Sequence, residues 1–149
     1  MNRFRFLLMI SLAAAGLILA VSPASAQSDQ EKIQQQLESA MAKEGPLTDE
    51  DVRIYLANID PIFRLRTEPA RLGETVRSIG GWSESRFAYV TTKIAVGMSL
   101  LLRPGDSRNN GLPAFAKPDT QEMALLKRYQ EELSREMEAA QLKYGGNNP

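Results

Sequence analysis

Beyond residue 26 the apolar side chains recur at threes and fours and show no convincing stretch of alternation, which commits the chain to helices that each bury one stripe against another. No fixed-period repeat is present, only recurring helix-start signals, so the sequence predicts an all-α bundle of about five helices.

The punctuation places those helices. Ser28-Asp29-Gln30-Glu31 has the form of a capping box, and Ile33, Leu37, Ala40 and Met41 follow on one narrow stripe up to the Gly45-Pro46 stop. Thr48 is the expected cap of a second helix, with Asp49, Glu50 and Asp51 in its first turn and Leu47 set to staple onto Val52. Pro61 then predicts either a kink or a new helix capped by Asp60. Pro69 opens a short helix that ends at Gly80-Gly81.

Ser83 caps the expected central helix, stapled by Trp82 and Phe87. One stripe runs Phe87, Val90, Ile94, Met98 and Leu101, and a second Tyr89, Val96 and Leu100. Ala88, Thr92, Ala95 and Ser99 form a row of small residues where a neighbouring backbone is expected to approach. Sixteen residues rise only about 24 Å, and Lys93 falls near their middle, so this is a core helix rather than a membrane span. Residues 104–118 have the composition of a surface loop, and Asp119 with Glu122 boxes the start of a long last helix over 120–144, followed by a flexible tail at 145–149.

Residues 1–26 predict an export signal, with Arg3 and Arg5 before an apolar stretch from Leu7 to Val21 and Ala24-Ser25-Ala26 as the cleavage site. The apolar stretch is shorter than a membrane-crossing helix requires. Cleavage leaves a single helical domain over 27–149, expected in the periplasm or secreted, with no transmembrane segment. The 149-residue chain contains no cysteine, so packing alone must hold it together, and the periplasm suits a disulfide-free exported chain.

The chain has no histidine either. Together these absences remove the usual neutral-pH base, the thiolate nucleophile and the best transition-metal ligands, so the expectation is a non-enzyme without metal or cofactor. Asp49, Glu50 and Asp51 point about 100° apart on a helix and read as capping and dipole partners. The segment 106–117 imitates a calcium loop only through Asp106, Asn110 and Gly111, since Arg108 and Lys117 occupy ligand positions. No phosphate-loop, dinucleotide or nucleophile-elbow motif occurs. Lys93 reads as a lysine reaching solvent.

Loss of residues 1–26 leaves a net charge of −2, unevenly spread: residues 27–51 are acidic and residues 52–103 basic. Arg64, Arg66, Arg71 and Arg77 cluster there, with forks suited to carboxylate or phosphate. Export and the net negative charge argue against nucleic acid. The leading expectation is a non-catalytic interaction module for a protein or envelope component. Leu126, Tyr129, Leu133, Met137 and Ala140 on the last helix offer a seam for a partner helix or a homodimer. The alternatives are a carrier of a small apolar ligand or lipid, lined by the two-stripe central helix, and an enzyme working with carboxylates alone.

Overall fold

A computed structural model describes residues 24–145, which fold into seven α-helices with no strand among them. Residues 1–23 of the expected 1–26 signal and the tail after residue 145 lie outside the described residues. The helices are α1 (Ala24–Met41), α2 (Asp49–Ala57), α3 (Ile59–Arg64), α4 (Leu72–Ile79), α5 (Glu84–Leu102), α6 (Thr120–Arg128) and α7 (Gln130–Gly145). Short 3₁₀ turns occupy Pro69–Arg71, Ser107–Gly111 and Ala114–Ala116.

The count exceeds five because two expected helices are divided. The second ends at Ala57, where Asn58 leaves helical geometry (φ −119°, ψ 18°) and its side-chain amide donates to the Ile54 carbonyl at 2.8 Å. The new helix starts at Ile59, two residues before Pro61, so the expected Asp60 cap is replaced by Asn58. Pro61 then lies in the first turn, where its missing N–H is one of the donors a helix leaves unpaired anyway. The last helix likewise breaks at Tyr129 (φ −97°, ψ 5°), beyond which α7 packs on α3 and α5. Helix α1 begins four residues before Ser28, which places that residue inside the helix instead of at its cap.

The remaining start signals act as their chemistry dictates. Thr48 and Asp51 close a reciprocal capping box on α2, Asp119 and Glu122 another on α6, and the Ser83 hydroxyl accepts from the Arg86 amide at the start of α5. Trp82 meets Phe87 edge-on with ring centroids 6.2 Å apart, as a staple requires. Gly80 and Gly81 terminate α4 with φ of 62° and 81°, a region that strains any side chain.

Helix α5 is the axis. Phe87, Val90, Ile94 and Met98 are sealed from solvent, and α1, α2, α4, α6 and α7 all pack on it. A neighbour approaches closely at Gly97, where an added Cβ would overlap Leu126 Cδ1 and lie 3.1 Å from Pro118 Cγ. At the far end of the small-residue row Ser99 donates to Asn109 Oδ1 of the 104–118 segment at 3.1 Å. That segment is therefore more than a surface loop: Asn109 and Ala116 are buried, and the Asn109 side-chain Nδ2 donates to the Arg103 carbonyl at 2.8 Å.

Candidate functional site

Chemically distinctive side chains gather in two places, one buried and one exposed. The buried one is built on α5, a helix apolar around nearly its whole girth, so that any ionisable group on it must find a partner. Lys93 and Tyr89 stand one turn apart and both meet Glu122, which is 2% exposed and rises from the first turn of α6. Glu122 Oε2 accepts from the Asp119 amide at 2.9 Å and lies 3.4 Å from Lys93 Nζ. Its Oε1 accepts from the Tyr89 hydroxyl and from the Leu47 amide, the latter at 2.9 Å. Lys93 Nζ also donates to the Lys117 carbonyl at 2.6 Å. The expectation that Lys93 reaches solvent is thus corrected: at 7% exposure it is an interior cation.

One turn earlier on α5, Arg86 forms a second hub. Its fork grips the Asp51 carboxylate and donates to the Gly45 and Pro46 carbonyls at 2.5 and 2.9 Å, with Glu44 Oε2 at 3.8 Å. The Ser85 hydroxyl donates to Glu44 Oε1 at 2.5 Å. Both hubs hold the linker between α1 and α2.

The protonation energetics follow from these contacts. Burial pushes the Glu122 carboxyl up, but hydrogen bonds from Tyr89, Asp119 and Leu47, with the Lys93 charge, outweigh it and hold the group below the ordinary glutamate value. Burial opposes ionisation of Asp51 too, and Arg86 and Thr48 reverse it in the same way. Tyr89 is pushed the other way by burial and by the Glu122 carboxylate. All these polar atoms have partners within the fold, as a buried polar network requires.

The exposed place is the corner where α3 ends. Arg64 and Arg71, 43% and 49% exposed, share the Glu68 carboxylate at 3.9 and 2.5 Å. The Arg66 guanidinium carbon sits over the Phe63 ring, 4.4 Å from its centroid, and the side chain donates to Gln141 Oε1 of α7 at 2.6 Å. Arg77 does not join them: it sits in the last turn of α4, whereas Arg71 precedes that helix. Three of the four expected arginines therefore share one corner.

The expected helix seam is largely spent inside the chain. Leu126 and Leu133 are fully buried and Ala140 nearly so, while Tyr129 and Met137 are partly buried, the Tyr129 hydroxyl accepting from Arg53 Nε at 3.1 Å. Asp106 is committed to capping: it accepts from the Arg108 side chain and amide, which bring its carboxyl down to about 2. Among the described residues no group of three or more acidic side chains is placed to hold a metal ion, and no helix is long and apolar enough to cross a membrane. Two open depressions lie on the surface, one on the outer face of α1 along Lys32, Gln36 and Lys43, the other where α1 ends beside Ser83 and Ser85. Comparison of the chain with protein-family models, curated proteins and solved structures gives no match.

Proposed function

We propose that the chain is an exported helical module, without catalytic machinery of its own, that presents a basic corner to an anionic protein or envelope component. The observation that supports this is the sharing of one carboxylate, Glu68, by the half-exposed forks of Arg64 and Arg71 beside an Arg66 that meets an amide and a ring. Exposed ion pairs contribute little, about 0–1 kcal/mol. A partner's carboxylate or phosphate therefore displaces Glu68 at small cost and gains a two-pronged contact. Arg66, stacked on Phe63, is already ordered and loses little freedom on binding. The depressions are open rather than enclosed, which favours this reading over a carrier that must bury an apolar ligand.

Capture from an envelope extract tests the reading. The purified protein is expected to retain a component at low salt and release it as salt rises. The Arg64→Glu, Arg71→Glu pair should abolish retention with helical circular dichroism unchanged, and Glu68→Gln, which frees both forks, should strengthen it. Retention indifferent to all three substitutions, or substrate turnover by the purified protein, overturns the reading.

A further inference from the structure

Helix α1 is joined to the bundle in an unusual way. Of its described side chains only Leu37 and Met41 are buried apolar anchors, with Ile33 packed partly against the core. Beyond its packing on α5 and the Ala114–Ala116 turn, its attachment is the linker that follows, which buries the Leu47 side chain and is otherwise gripped by charged groups. The Leu47 amide donates to Glu122, the Thr48 amide and hydroxyl to Asp51, and Arg86, itself anchored on Asp51, holds the Gly45 and Pro46 carbonyls and approaches Glu44. Three carboxylates, Glu44, Asp51 and Glu122, thus face two cations, Arg86 and Lys93, across one short stretch of chain, with Tyr89 and the capping residue Asp119 completing the surroundings.

We propose that the Glu44–Thr48 linker is an acid-opened latch: protonation of the Asp51 and Glu122 carboxyls releases the linker and lets α1 leave the bundle while α5 and α7 stay packed. The two carboxylates make the grip only when ionised, because a neutral carboxyl no longer balances Arg86 or Lys93 and gives up acceptor capacity. The helices left behind still pack on one another, since α5 meets α2, α4, α6 and α7, and α3 meets α7, in contacts that do not involve α1. Both groups ionise below their ordinary range when folded, so the grip is intact at neutral pH and is lost as pH falls through and below that range. Leaving exposes Leu37 and Met41 together with the surface of α5 on which α1 rests.

Hydrogen exchange read by mass spectrometry on the purified protein decides the matter. At neutral pH, Glu122→Gln and Asp51→Asn, which imitate the protonated groups, should each lower protection in α1 roughly ten- to a hundredfold, the loss of one charged hydrogen bond or more. Protection in α5 and α7, which the unpaired Lys93 also weakens in Glu122→Gln, should fall by a clearly smaller factor than in α1. The wild-type protein should show the same pattern at acid pH, and Asp106→Asn, which neutralises a carboxylate remote from the linker, should not. The proposal is overturned if either variant leaves α1 protection intact, if acid leaves it intact, or if all helices lose protection together.

Discussion

Replacing Glu122 by alanine is expected to destabilise the protein by about 3–5 kcal/mol, among the largest losses available to a single polar substitution here. The reason is what remains: Lys93, 7% exposed, keeps the Lys117 carbonyl but loses its carboxylate, while the Leu47 and Asp119 amides and the Tyr89 hydroxyl lose their acceptor. An interior ammonium without its counter-ion costs far more than the pair contributes. Hence Lys93→Met, introduced into the Glu122→Ala background, should recover part of the loss, even though alone it too is destabilising. Urea unfolding of the two single variants and the double variant gives the coupling directly. Losses that simply add would show that the two side chains do not depend on each other.

The second large effect lies at the crossing of α5 and α6. Leu126→Ala removes a fully buried side chain and should cost about 2–5 kcal/mol. Gly97→Ala, in a helix where alanine is ordinarily favoured over glycine, should instead cost about 1–3 kcal/mol. The new Cβ would overlap Leu126 Cδ1, and that leucine, sealed from solvent, has nowhere to move. Combined, the two substitutions should cost clearly less than their sum, because truncating Leu126 deletes the atom that the new Cβ strikes, and the added methyl partly fills the cavity. Thermal or urea unfolding of the set measures it. Additive losses, or a stabilised Gly97→Ala, would contradict this account of the crossing.

These two sites mark where sequence reasoning reached and where it stopped. Local signals were legible: the Thr48–Asp51 and Asp119–Glu122 boxes, the Ser83 cap, the Trp82–Phe87 staple and the Gly80-Gly81 stop all depend on residues a few positions apart, and each is formed. The helical class followed from the spacing of apolar residues alone. The break signalled by Pro61 is present as a new helix that starts two residues earlier, at Ile59, whereas the break at Tyr129 is not legible, since nothing there interrupts the apolar spacing. The first helix also ran further back than its polar cap signal allowed.

At the site, Glu122 was visible only as a cap, because its other role depends on Leu47, which is 75 residues away, and on Tyr89. Lys93 was misplaced, although one signal pointed inward: on a helix apolar around most of its circumference, a lone lysine has no solvent face to occupy. Arginine clustering in sequence brought Arg64, Arg66 and Arg71 to one corner but not Arg77, which the intervening helix α4 carries to its other end. The heptad of Leu126, Leu133 and Ala140 reads as a seam for a partner helix or a second copy, and these three side chains are buried in this chain's own core, since spacing does not encode what covers an apolar stripe.

The central claim, that the α3 corner is where this protein meets its partner, is tested most directly by photo-cross-linking in intact cells. A photoreactive residue replaces exposed Ala70, beside Arg71, or exposed Gln121 on α6 as the comparison position. The account predicts a discrete adduct from position 70 that disappears when Arg64→Glu and Arg71→Glu are added, and none from position 121. No adduct at position 70, or the same adducts from both positions regardless of the arginines, would contradict it.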